Sequence, residues 1–208
     1  MAKQKSELVR KGYSKIASEY QDQRSGYESV KLLGKIIKLL PKGAKVLDLG
    51  CGAGVPVSKT LADKGYKVTG IDFAQGMLKL ARKNVLKAGF RSMDITKMKF
   101  RANSFDGAVS YYAIIHIPRE KHGRIYKTLH RILKPGGMIF VNASGTDKHG
   151  WEAVEDYMGV KMFWSFYGPK RTLGLIEDAG FEILWSKILK IGNEKQFWVL
   201  AKNRKQAN

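Results

Sequence analysis

The densest group of chemically useful residues is Val46-Leu47-Asp48-Leu49-Gly50-Cys51-Gly52-Ala53-Gly54, an apolar run that ends in an acid and opens into three glycines at alternate positions. Glycines at such a turn let the backbone reverse tightly and approach a ligand, and a helix after it offers unpaired N–H groups. The spacing is Gly-x-Gly-x-Gly, and Val55 stands where a dinucleotide fingerprint carries its third glycine, which counts against a nicotinamide enzyme. Asp48 adds a charge argument. Its carboxylate repels a pyrophosphate and attracts a ligand carrying an ammonium or sulfonium. The alternative is a turn that only packs helix on strand.

Two further acids follow at similar places. Asp72 closes the run Lys67–Asp72 (KVTGID), where a carboxylate accepts two hydrogen bonds from ribose hydroxyls or, alternatively, caps the next helix. Asp94 lies between Met93 and Ile95, where it can accept from an adenine amino group while these neighbours and Phe73 flank the ring, or be an ordinary loop aspartate. His116 ends the apolar and aromatic run Tyr111-Tyr112-Ala113-Ile114-Ile115-His116 and is the candidate general base, with a loop histidine satisfied by backbone as the rival reading.

These residues need a scaffold that brings strand ends together. Lys45–Leu49, Lys67–Asp72, Phe90–Met93, Phe105–Ser110 and Met138–Ala143 read as strands, separated by helical patterns over Gly54–Lys64, Ala74–Ala88 and Arg119–Leu133. A further helix is predicted over residues 28–40, ended by Pro41 and Gly43, and Lys134-Pro135-Gly136-Gly137 reads as a turn. The alternation requires right-handed crossovers and a mainly parallel sheet covered on both faces, with ligands at the carboxyl edge where the three acids fall. After a helix over Lys170–Ala179, strands Phe181–Leu189 and Gln196–Lys202 are joined too closely to cross over, so they are antiparallel.

The chain has 208 residues, 44% of them hydrophobic, enough for one core. No apolar run approaches the ~20 residues of a membrane span and the polar N-terminus does not resemble a signal peptide, so a cytoplasmic protein is expected. Cys51 is the sole cysteine, and His116, His122, His130 and His149 have no metal-site spacing, so neither a disulfide framework nor a metal is expected. The formal charge of +20 is spread along the chain and reads as a solvated surface or as attraction to RNA, an anionic surface or an acidic substrate.

Taken together, VLDLGCGAG, VTGIDFA, Met93-Asp94-Ile95, NSFDGAVS, LKPGG, AGFEI and FWVLAK resemble the class I S-adenosylmethionine-dependent methyltransferases, and among them the small single-domain generic group. The resemblance covers nearly the whole chain and implies an α/β, doubly wound, Rossmann-like seven-stranded sheet of order 3-2-1-4-5-7-6 with strand 7 antiparallel. It implies S-adenosyl-L-methionine as cofactor and S-adenosyl-L-homocysteine as product. By residue, it places Asp48 and Gly50 near the methionine part, counts Cys51 among the cofactor-binding residues, and has Gly52 and Gly54 permitting close approach. It sets Asp72 on the ribose, Phe73, Met93 and Ile95 against adenine, Asp94 on the adenine amino group, and Ser110 and Tyr111 beside the methionine moiety. Tyr13-Ser14-Lys15-Ile16-Ala17-Ser18-Glu19-Tyr20 is similar to the group's opening helix, which makes Tyr20 and Arg24 lid candidates, with a packed surface helix as the other reading.

One domain over 1–208 is therefore expected, with 1–40 as a helical lid layer and 144–169 as an acceptor-side insertion. The aromatic stretch Trp151–Tyr167 is either an apolar acceptor pocket or a patch packed on the core or a second subunit. A small-molecule acceptor is favoured over RNA, because Ser110-Tyr111-Tyr112-Ala113 stands where base-methylating enzymes carry Asn/Asp-Pro-Pro-Tyr. A non-catalytic cofactor-binding protein shares every feature except a productive acceptor site.

Overall fold

The computed structural model describes residues 2–24, 28–146, 151–192 and 194–206. Its main sheet contains β1 (Lys45–Leu49), β2 (Lys67–Asp72), β3 (Gly89–Ser92), β4 (Phe105–Ser110) and β5 (Leu133–Ser144). A separate antiparallel hairpin, β6 (Trp151–Tyr157) and β7 (Val160–Phe166), precedes β8 (Phe181–Ile191) and β9 (Glu194–Asn203). The sheet order is β3-β2-β1-β4-β5-β9-β8, with β9 antiparallel to both neighbours. Without the hairpin in the count, this is the expected order and the expected antiparallel seventh strand.

The central strands are apolar on both sides because helices cover both faces of the sheet. Leu47, Leu49, Ile71, Ile139 and Val141 pack against α6 (His122–Ile132) and α7 (Pro169–Glu177). On the other face Val46, Val109, Phe140 and Trp198 meet α4 (Val57–Asp63) and the segment before β1. That segment folds as a 3-10 turn, Glu28–Leu33, continued by the α-helix Gly34–Ile37 (α3), and fully buries Leu33 and Ile36. Within the stretch 1–40 expected as a lid layer, Leu33, Ile36 and Leu40 pack on the core. Before them lie α1 (Ala2–Lys15) and α2 (Ala17–Arg24), separated by a bend at Ile16.

The turn expected at 134–137 is instead a bulge inside β5, where the pairing with β4 jumps from Phe105–Leu133 to Gly107–Met138. α1 is seated from two sides. A β-carbon on Gly76 of α5 (Gln75–Asn84) would lie 2.5 Å from the Ser14 carbonyl oxygen, and one on Gly12 would lie 3.0 Å from Met162 Cε of β7. Small residues on both surfaces let the helix lie down on the sheet's carboxyl edge. Among the described residues no helix is long and apolar enough to cross a membrane.

Candidate active site

Two adjoining cavities lie at the carboxyl edge, sharing Tyr20, Gly50, Gly52, Tyr111 and Tyr112 as walls. The larger is bordered by Asp72, Phe73, Met93, Asp94 and Ile95, and at its outer end by Tyr13 and His116. The smaller is bordered by Asp48, Cys51 and Ala53.

The glycine turn earns its composition residue by residue. Gly50, Gly52 and Gly54 have φ of +66°, +52° and +77°, which side chains adopt only under strain. A β-carbon at Gly50 would sit 2.3 Å from Ala113 Cβ, so this position has no room for a side chain. At Gly52 the nearest atom would be Met77 Sδ at 3.9 Å, which leaves its backbone open to both cavities. Gly54 borders neither cavity. Its absent side chain makes room for Val85 and Phe90, at 3.1 and 3.2 Å, so it serves helix packing and not ligand approach.

The acids are held differently. Asp48 is buried and accepts a hydrogen bond from the Ser58 hydroxyl at 2.6 Å. Burial first, and repulsion from Asp72 in addition, push its carboxyl up to about 7 against the pull of Ser58. Asp72 accepts from Gly52 N–H at 3.0 Å and from Ala74 N–H at 2.9 Å, so one carboxylate braces the glycine turn and the start of α5. Burial raises its pKa as well, while the Ala74, Gly52 and Phe73 N–H groups hold it down. No ion pair among the described residues involves either acid. Two neighbouring carboxyls, one buried and one half-buried, without a protein cation fit a ligand that brings its own positive charge. Asp94 accepts from Thr96 N–H and Oγ1 at 2.8 and 2.7 Å through Oδ1 alone, and its Oδ2 takes no hydrogen bond from the described residues.

Ser110 falls away from the site. It pairs in register with Leu49 and Val141, so its side chain follows theirs into the core, fully buried and bordering neither cavity. The next residues turn sharply. Tyr112 has φ +58°, and its N–H donates to Asn142 Oδ1 at 2.6 Å. Asn142 is fixed in turn by Gln196 at 3.1 Å, and Gln196 by Glu194 at 2.6 Å. A bulky residue in the left-handed region persists only where its surroundings hold it, and this buried amide chain does so.

His116 is buried, 6% exposed, between the lid and the hairpin. Its Nδ1 is 2.8 Å from the Phe163 carbonyl, an acceptor, so Nδ1 carries the proton. Nε2 is then the lone-pair nitrogen, and the Tyr13 hydroxyl donates to it at 2.7 Å. Trp164 lies over the imidazole at 4.3 Å between ring centroids. The aromatic insertion is thus a buttress. Met162 and Phe163 bury against Val9 and Ile16 of the lid region, and no described residue of the hairpin borders the cavities. The side chains of Arg24 and Trp151, and His149 as a whole, lie outside the described residues.

Spacing in the sequence singles out neither Tyr13 as the partner of His116 nor Asn142 as the support of Tyr112. The two pairs are separated by 103 and 30 positions, so only the fold brings them together.

Residues 46–137 match the family described as methyltransferase domain. Demethylmenaquinone methyltransferase of Listeria monocytogenes is 30% identical over 169 residues, covering 74% of this chain and 70% of that protein. The 24-methylenesterol C-methyltransferase 2 of Arabidopsis thaliana is 30% identical over 180 residues, 80% of this chain, and the chain spans about half (49%) of that protein's length. The crystal structure of Burkholderia thailandensis 1,6-didemethyltoxoflavin-N1-methyltransferase, with bound 1,6-didemethyltoxoflavin and S-adenosylhomocysteine, superposes with a TM-score of 0.80 at 16% identity, over 99% of this chain and 91% of that one.

Proposed function

The chain belongs to the class I S-adenosylmethionine-dependent methyltransferases, and from that premise we propose that it methylates a small-molecule acceptor whose proton is removed by Tyr13 backed by His116. The observation that carries this reading is the Tyr13 hydroxyl resting on His116 Nε2 at the end of the larger cavity.

The cofactor half follows from the cavity walls. Asp48, with the Gly50–Gly52 backbone, Cys51 and Tyr111, holds the cationic methionine end, and Asp72 takes the ribose hydroxyls on its remaining lone pairs. Phe73, Met93 and Ile95 flank the adenine, and Asp94 Oδ2 accepts from its amino group. Tyr20 borders both cavities and closes them from above. When bound, S-adenosylmethionine supplies a methyl group on a sulfonium, ready for in-line displacement.

The remaining work is to place the acceptor, exclude water and take a proton. As the acceptor's O–H, N–H or acidic C–H gives its proton to Tyr13 Oη, the Tyr13 proton passes to His116 Nε2. The resulting imidazolium keeps its Nδ1–H bond to the Phe163 carbonyl, and the acceptor is left with the electron pair that would take the methyl group from a bound cofactor as its sulfur–methyl bond broke. Tyr13 and Tyr20 on the lid, with Ile117 and Pro118 opposite, make an enclosed, largely apolar wall suited to a small acceptor rather than a polymer. The relatives named for 24-methylenesterol, demethylmenaquinone and 1,6-didemethyltoxoflavin support the same class.

The test is a transfer screen with methyl-labelled cofactor over small-molecule, lipid and RNA pools. Label entering a small molecule is expected. Label entering only RNA, or none entering any pool while the cofactor binds, overturns the reading.

A further inference from the structure

A second concave surface lies near the amino edge of the sheet, away from the cavities. Six cationic side chains, Lys45, Lys67, Lys87, Arg91, Lys99 and Arg101, border a cleft of about 590 Å³. The strand register gathers several of them. Lys45 pairs with Lys67, Leu47 with Thr69, and Ile71 with Arg91, so Lys45, Lys67, Thr69 and Arg91 share one face of the sheet. Farther along the same face Leu47, Leu49 and Ile71 are buried in the core, whereas Lys45, Lys67 and Arg91 stand exposed beside it.

All six cations are exposed. None forms an ion pair with a described residue, and no acid borders the cleft. Half-buried Phe100 lies among them, with the Arg91 guanidinium 6.0 Å from its ring centre. The Tyr66 ring instead packs on the core of the opposite face, and its hydroxyl donates to the Ile37 carbonyl at 3.2 Å. Asp106 acts on Lys45 and Asp63 on Lys87, which leaves the six cations in excess. Like charges gathered on one surface repel one another, so the arrangement favours a polyanion that neutralises several at once.

We propose that this cleft binds single-stranded RNA, its phosphates on the six cations and a base against the Phe100 ring. A lipid surface fits less well. It is flat where this site is concave, it gives the half-buried Phe100 ring nothing to stack on, and docking it here would turn the acceptor cavity away from the bilayer. The RNA is a docking partner and not the methyl acceptor, and this inference stands independently of the methyl-transfer reading.

Binding of a labelled 12-nucleotide mixed-sequence RNA, followed by fluorescence anisotropy against salt, tests it. Six phosphate contacts to a single strand give a slope of log K on log salt of roughly −4. Lys67→Gln/Arg91→Gln/Lys99→Gln is expected to halve that slope and weaken binding at least about tenfold at low salt, with Lys45→Gln/Lys87→Gln/Arg101→Gln doing the same. Phe100→Leu is expected to weaken binding with the slope unchanged. Lys79→Gln/Lys127→Gln/Lys170→Gln makes the same change of net charge at exposed sites elsewhere and is expected to leave binding nearly intact. Absence of RNA binding, equal weakening by the cleft and control triples, or preferential binding of phosphatidylglycerol vesicles through these residues overturns the proposal.

Discussion

The Tyr13 hydroxyl donates to Nε2 of His116 at 2.7 Å across 103 positions of sequence, joining the first helix of the chain to the turn after β4. On the proposed reading, closure of the lid and supply of a proton acceptor are one event. With the helix lifted, His116 keeps its bond to Phe163 and loses the group that connects it to an acceptor.

In the proposed cofactor site, Asp48 is expected to couple binding to pH. With its carboxyl at about 7 in the folded apoprotein, a cationic ligand must displace a proton from it below that pH. Affinity for S-adenosylmethionine is expected to rise as pH increases to about 7 and then level off, with proton release measurable by calorimetry in buffers of different ionisation enthalpy. The same group destabilises the apoprotein. Its folded pKa lies above the unfolded value, so its contribution to stability falls as pH rises from about 4 to 7. Asp48→Asn is expected to abolish cofactor binding yet stabilise the apoprotein at pH 8 by on the order of 1–4 kcal/mol in denaturant titrations, since Ser58 can still donate to the amide oxygen.

Gly50 and Gly52 separate strain from collision. Gly52→Ala meets only its positive φ and is expected to cost about 1–2 kcal/mol. Gly50→Ala adds a collision with Ala113 and is expected to cost more than about 3 kcal/mol. Chemical denaturation of the two variants side by side measures the difference.

Gly76→Ala pushes against the Ser14 carbonyl and is expected to lift α1 with little loss of global stability, about 1 kcal/mol or less. Limited proteolysis within residues 2–24 is expected to accelerate, and kcat to fall, while the core melts almost unchanged.

Asn142→Ala removes the acceptor of the Tyr112 N–H and the donor to Gln196. A cost of roughly 2–3 kcal/mol is expected, with weaker binding of S-adenosylhomocysteine because Tyr112 borders both cavities. Thermal melting and calorimetry of the variant read the two effects.

The sheet was legible in sequence because its strands are short apolar runs punctuated by glycine, and β1, β2 and β4 begin and end where the pattern places them. The hairpin was not legible. Its two-residue turn is Met158-Gly159 with φ of +49° and +71°, and a methionine in the left-handed position gives none of the asparagine or aspartate signal such turns carry. The three glycines of the turn look equivalent in sequence, yet Gly54 answers to Val85 and Phe90 and only Gly50 and Gly52 to the cavities. Ser110 carries a plausible hydroxyl on the wrong face, a distinction that register alone decides. His116 was legible from its place after β4, whereas its donor Tyr13 depends on the angle at which α1 crosses α5.

The most direct measurement is a double-mutant cycle on Tyr13 and His116, with labelled-methyl transfer rates followed against pH and S-adenosylhomocysteine affinity measured in parallel. If the two act as a unit, Tyr13→Phe and His116→Gln each lower kcat by about 10²–10⁴ and remove the same limb of the pH profile. The double variant then loses no more than the worse single, and S-adenosylhomocysteine binds all four proteins alike. Multiplying losses in the double variant, or a full rate in either single, contradicts a shared proton path from acceptor to His116.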